Sequence, residues 1–244
     1  MTRVLSRSVA TACRGLLRGQ WSVGRWAFPV IAVAAAIAIV VWASIGEPTK
    51  SIVGFSRQGM VWFPFSLSIA IAAGQVNVHV AMGRTRRALG RAAVLVALAM
   101  SVVYALGLVV LVQVERGVYA VAGWHHVISD GMTFASDTSQ VGLLFGEYLV
   151  TTAVAQLCGL LCGITYYRYG GWVGTLSLPL TVSPVLLVLA GMGAEASFLS
   201  GDLAVGTVGG GAVRAAVAVV VMAAVIVAFQ RILRGTPLRT APLI

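Results

Sequence analysis

Charge is scarce in this chain. Of its 244 residues, 10% are charged and 59% are apolar, against about 25% charged in an ordinary soluble domain. A chain so short of polar side chains cannot cover its own surface with them, so lipid is the expected solvent around most of it. Lysine is almost missing: Lys50 is the only one, and arginine supplies the rest of the 17 basic residues. The 7 acids leave a formal charge of +10. That excess does not mark a nucleic-acid binder, because the arginines flank apolar runs and form no separate basic domain. Cysteine is sparse as well. Cys158 and Cys162 sit inside an apolar run and Cys13 lies among arginines; a zinc site wants about four ligands, so these are expected to be small buried thiols rather than a disulfide or a metal site.

Several catalytic signatures are missing too. No Gly-x-x-x-x-Gly-Lys-Ser/Thr sequence occurs, so the chain has no phosphate-binding loop and is not itself an ordinary ATPase. His-Glu-x-x-His is absent, which removes the usual membrane metalloprotease. An intramembrane serine protease needs a serine facing a histidine at depth. His79 and Ser177 exist, but Gly174-Thr175-Leu176-Ser177-Leu178 lacks the small-residue pattern such a serine needs. No catalytic residue, metal ligand or bound cofactor is expected on this chain.

What the chain does have is length in its apolar runs. Six of them approach the roughly 20 residues that a bilayer requires: Trp26–Ile45, Met60–Met82, Ala92–Val114, Val141–Thr165, Trp172–Ala194 and Ala212–Ile232. Trp26, Trp42, Trp62 and Trp172 lie at or near run ends, where interfacial aromatics belong. Pro179 and Pro184 are expected to kink the fifth run. The fold class that follows is all-α: a polytopic membrane protein with six transmembrane helices (26–232), preceded by an interfacial helix (1–20) and followed by a tail (233–244).

Residues 1–20 hold no span, but they are patterned. Arg3, Arg7, Arg14 and Arg18 fall on one arc of a helix, with Leu5, Val9, Ala12 and Leu16 opposite. Such a basic amphipathic helix suits an anionic membrane surface. A cleaved signal peptide is the competing interpretation, but the run that follows is too long for its apolar core. With six spans and an inside N-terminus, the basic residues other than Lys50, Arg57, Arg116 and Arg214 fall on the cytoplasmic side, and the positive-inside rule then puts both termini in the cytoplasm. All the acids (Glu47, Glu115, Asp130, Asp137, Glu147, Glu195, Asp202) fall on or near the outer face. The longest outer segment, Glu115–Gln140, carries Trp124, His125, His126 and Asp130, either a metal or substrate contact or an interfacial loop with a tryptophan anchor. The Gly-rich connection Ser200–Gly211 is expected to be a mobile turn or a broken helix.

Two features carry functional information. The second run is the most polar: Ser68, Gln75 and His79 share a helical face, with Asn77 to one side. Such side chains either bond a neighbouring helix or line a polar path. In the fourth run Glu147 lies only about two turns from the outer end, and the lack of a mid-membrane charge pair argues against an ion-coupled carrier. The same run carries Gly142-x-x-x-Gly146 and Gly159-x-x-x-Gly163, two close-packing patterns that do not share a face.

The second feature is the loop Gly83-Arg84-Thr85-Arg86-Arg87-Ala88-Leu89-Gly90-Arg91 between the second and third runs, long enough for about two helical turns. Arginines so dense cannot lie in hydrocarbon, so this loop belongs at a membrane face. They could simply hold the hairpin inside and touch lipid phosphate. Met82 to Gly90, however, is similar to the "Gly, two residues, Arg, Arg/Lys" segment of small permeases. With six spans, inside termini and the N-terminal helix, the chain resembles the membrane subunit of a type-2 ATP-binding-cassette exporter. The resemblance implies that Gly83, Arg84, Arg86, Arg87, Gly90 and Arg91 contact a separate ATPase subunit, which binds the ATP and Mg, and that Arg3 to Arg18 lie beside them. It implies a second permease chain, the same or related, and lipid as further partners. Polar faces of the second and fifth spans (Ser68, Gln75, Ser177, Thr181) would then line the substrate path. Family members place re-entrant outer helices between spans five and six; here that connection is short and Gly-rich. An ATP-independent transporter or channel, or an accessory membrane protein, stays open as the alternative.

Overall fold

The computed structural model of the chain describes residues 2–46, 49–83, 85–128, 135, 137–191 and 211–237, with side chains from residue 8 and, in the last helix, from residue 213. Among these residues the fold is all-helical: α1 (Thr2–Gly24), α2 (Ala27–Ala43), α3 (Ile52–Ala81), α4 (Arg86–Ala122), α5 (Val141–Leu176), α6 (Leu178–Gly191) and α7 (Gly211–Arg234). The only extended pairing among them is an isolated bridge of Lys50 with Val127. Five stretches are long and apolar enough to cross a membrane: Ser8–Ala43, Ile52–Ala81, Arg86–Ala122, Val141–Leu176 and Val213–Arg234. This is the construction of a helical integral membrane protein.

The helices outrun the apolar runs. A drop in hydropathy marks where hydrocarbon ends, not where the backbone stops coiling. α3 starts at Ile52 because Ser51, in an extended conformation, accepts the Gly54 N–H and caps the first turn. Arg57 therefore lies inside α3 rather than in a loop before it. α4 runs on to Ala122 and stops where Gly123 takes a left-handed φ of 74°. Glu115, expected in an outer loop, is thereby in the last turns of α4. The fifth run is divided between two elements. α5 bends at Gly170 (φ 86°) and ends at Ser177, and α6 starts just before Pro179, whose ring would collide with the carbonyl four residues back.

The centre of the bundle is α5. Of its most apolar window 89% is buried, against 6% for the window within Ser8–Ala43. It touches α3, α4, α6 and α7, while α3 and α6 do not touch each other. Two glycines make the closest crossing possible. A Cβ on Gly159 would overlap the Phe65 carbonyl oxygen, and one on Gly163 would come within 2.5 Å of the Ile69 oxygen, so only glycine lets α3 and α5 approach this closely. At Gly142 and Gly146 the same test meets nothing within 4 Å. The two patterns indeed serve different faces.

The N-terminal segment has a different setting from the expected surface helix. α1 buries Ala12, Leu16 and Gln20, and Cys13 Sγ lies 3.9 Å from the Ala92 carbonyl oxygen. Further along, Gln20 donates to Gln156, which in turn donates to Ala97 O at 3.0 Å and Ser101 Oγ at 2.8 Å. Beyond a turn at Arg25–Trp26, the Phe28 ring fills the space beside Gly107. α1 and α2 thus climb alongside α4 in its direction. Gln20 follows Leu16 by one turn and continues the buried stripe, since its amide finds partners inside the protein. The side chains of Arg14 and Arg18 stay exposed on the far side; those of Arg3 and Arg7 lie outside the described set.

Candidate functional site

The arginine segment is built from a tight turn and a helix start. Gly83 takes a φ of 70°, a left-handed conformation that costs glycine little. Thr85 sits extended (φ −77°, ψ 145°) and its side chain accepts the Ala88 N–H at 3.2 Å, which caps α4. From Arg86 onward the chain is already α4. The expected nine-residue loop is therefore a turn at Met82 and Gly83, an extended Thr85 and two helical turns continuous with the span. Arginine, alanine and leucine are good helix formers, and once Thr85 caps them nothing interrupts the coil. Arg87 and Arg91 are exposed and Arg86 is half-buried; Arg84 lies outside the described residues. Gly90 is not a surface contact. It is buried, and a Cβ there would meet Gln230 Oε1 at 2.6 Å and Leu233 Cδ2 at 2.8 Å, so this glycine lets α7 lie close on α4.

The opposite end of the bundle carries a buried charged cluster. The Glu115 carboxylate, 3% exposed, accepts from the Ile52 N–H at 2.6 Å, the Val53 N–H at 3.1 Å and the Ser51 hydroxyl at 2.5 Å. It caps α3 from a neighbouring helix, and its negative charge faces the positive end of α3. His126 bridges it to the following segment, with Nε2 3.1 Å from Glu115 and Nδ1 3.1 Å from Thr138 Oγ1. Tyr119 packs edge-on against both Trp124 and His126 and donates to the Lys50 carbonyl at 3.1 Å. One turn further into α3, Arg57 pairs with Glu147 of α5 at 2.6 Å, with side chains 5% and 2% exposed. His125 is exposed and Asp130 lies outside the described residues, while Trp124 and His126 tie the segment to Tyr119 and Glu115. Among the described residues no group of three potential metal ligands occurs. Asp137 nearby is held below the usual carboxylate range, chiefly by the Ser139 N–H at 2.9 Å.

The four path residues are not brought together. Ser68 is buried where α3 crosses α5 at Gly159. Thr181 is buried on α6 and donates to the Leu178 carbonyl at 3.3 Å, while Ser177 closes the end of α5 by donating to Gly174 O at 2.8 Å. α5 stands between α3 and α6, so Ser68 and Gln75 lie on an element that does not touch the element carrying Thr181 within one copy. Gln75 is half-buried, with its backbone carbonyl 3.1 Å from His79 Nδ1, and Asn77 accepts from the Tyr167 hydroxyl of α5. Asn77 thus joins two helices, whereas these bonds of Gln75, Ser177 and Thr181 are local.

No family model, curated protein or solved structure matches this chain. Its likeness to exporter permeases accordingly rests on the arginine segment and the order of apolar helices. Three functional features escape a sequence reading. Arg57 stands before the second apolar run and looks extramembranous, although Ser51 three residues before Gly54 is the capping signal that would have extended the helix over it. Glu115 looks like a loop acid for the mirror reason. The Gln20–Gln156–Ser101 chain joins residues 136 and 55 positions apart, and no local pattern announces it.

Proposed function

We propose that the chain is the permease subunit of an ATP-driven exporter of the type-2 ATP-binding-cassette class. In this proposal it is a six-span protein of the cytoplasmic membrane. Both termini are in the cytoplasm, the start of α1 lies at the inner interface, and the last part of α5 together with α6 makes the fifth crossing. Two permease chains, identical or related, form the path between them, and separate ATPase subunits bind ATP and Mg.

The observation that carries this is the mounting of the arginine turn. It is short, it presents Arg87 and Arg91, and it leads without a break into α4, which α1 braces at Ala92 and α7 braces at Gly90. A rigid helix of 37 residues extends about 55 Å. Its far end carries Glu115, which holds the start of α3. A push at the arginines would thus be carried to the opposite end of two helices, as a machine alternating between two openings requires. Arg86→Glu with Arg87→Glu is expected to strip the ATPase from the purified complex while the chain remains folded. Undiminished copurification and transport in that variant would refute the coupling.

A second interpretation has its own support. Arg57 and Glu147 form a buried charge pair between α3 and α5, near the outer end rather than at mid-membrane, and such a pair inside a bundle of apolar helices is a feature that ion-coupled carriers use. Uptake or efflux by vesicles holding this chain alone, without nucleotide, would establish that alternative and end the first.

A further inference from the structure

Where α1, α4 and α7 meet at the arginine end, they form an open cavity of about 550 Å³. Its wall includes Arg86, Arg87, Arg91 and Arg234, with Thr85 and Val9 between them. Arg87, Arg91 and Arg234 are exposed and Arg86 is half-buried, so four guanidinium groups sharing one open cavity repel one another weakly through water and favour an anion among them. Among the described residues the chain supplies none. Both ion pairs among the described residues are at the other end of the bundle, as are the described carboxylates Glu115, Asp137 and Glu147. Inside the cavity, the Arg86 side chain reaches only the Arg234 carbonyl, at 3.4 Å, which leaves most of twenty N–H donors, about five per guanidinium, to be satisfied from outside.

The level of the cavity identifies the anion. α7 is apolar from Ala215 to Phe229 and ends on Arg231 and Arg234, so Arg234 stands where hydrocarbon gives way to headgroups. Phosphate is the anion at highest density in that layer, and the guanidinium fork fits its oxygens two at a time. We propose that this cavity is a phosphate site that holds the headgroup of an anionic phospholipid. It shares Arg86, Arg87 and Arg91 with the proposed ATPase contact but does not depend on it, because the described lining comes from this chain alone.

The test uses the purified full-length chain, without any ATPase, in phosphatidylcholine nanodiscs. Phosphatidylglycerol is titrated in and bound lipid is counted by native mass spectrometry. Each arginine near an anionic surface contributes about fivefold in affinity. Arg86→Gln with Arg234→Gln should therefore weaken phosphatidylglycerol binding by about 30-fold, and Arg91→Gln alone by about fivefold. Arg14→Gln with Arg25→Gln, which lie outside the cavity, should change it by less than about twofold. Inorganic phosphate should not displace the lipid. Equal losses in the two double variants would mean diffuse surface charge and would overturn the proposal. So would displacement by inorganic phosphate at equal concentration, which would mark a soluble-anion site. Unchanged lipid binding in Arg86→Gln/Arg234→Gln would overturn it too, and would leave the cavity to acidic side chains of a protein partner. Should that double variant fail to fold, Arg91→Gln decides.

Discussion

The Arg57–Glu147 pair lends itself to a quantitative test. Its N···O distance is 2.6 Å and both side chains are almost wholly buried, so neither charge is screened by solvent. At an effective dielectric constant near 20, unit charges about 4 Å apart attract by about 4 kcal/mol. Removing one partner also strands the other in a protein interior. Glu147→Gln is therefore expected to destabilise the chain by about 3–5 kcal/mol, and Arg57→Met by a similar amount. Replacing both, as Arg57→Met with Glu147→Leu, removes the stranded charge, and most of the loss should be recovered. The two singles and the double form a cycle, measured by reversible unfolding in mixed detergent micelles. A coupling energy of about 3 kcal/mol or more supports the pair as a clamp between α3 and α5. Additive losses, with the double as unstable as the sum of the singles, would refute the reasoning and mean that the two charges are held by other groups. The same double variant separates the two functional interpretations: an exporter clamp tolerates the apolar replacement, whereas an ion-coupled carrier loses transport altogether.

Two more expectations follow from local geometry. Gly159→Ala and Gly163→Ala should each cost about 1–3 kcal/mol, because the added methyl overlaps the α3 backbone. Gly142→Ala and Gly146→Ala, open to 4 Å, should instead be neutral or stabilise by up to about 1 kcal/mol; thermal melts of the four variants check this, and equal effects would refute the crossing. The second concerns pH. The Asp137 carboxyl is held below its ordinary value by the Ser139 N–H, so the stability it lends its turn is present above the ordinary aspartate range, near pH 4, and is lost only as pH falls through the lower folded value. The protection of the Ser139 amide, its exchange rate relative to a free amide at the same pH, should hold down to about pH 4 and fall below it. Asp137→Ala should remove that protection at every pH.

Apolar run length and arginine placement were enough to read an all-helical membrane protein with a basic turn between α3 and α4. Those properties are local: about 20 apolar residues must be helical in lipid, because nothing else satisfies their backbone groups. Thr85 and Gly83 likewise carry their own capping and turn conformations. The extent of each helix, by contrast, depended on partners far away in the chain. Glu115 stays helical and buried because α3 offers it three donors, and Arg57 enters the interior because Glu147 waits there. Gly159 and Gly142 stand in identical sequence patterns, yet only the former meets another backbone. The separation of Ser68 from Thr181 is also a tertiary matter, fixed by α5 passing between their helices. Sequence alone therefore determined which segments are apolar enough for lipid and where along the chain the positive charge collects, since hydration and backbone satisfaction act residue by residue. Only the folded bundle decided which polar groups meet, because a buried charge is tolerated solely where a second chain segment brings its counterpart.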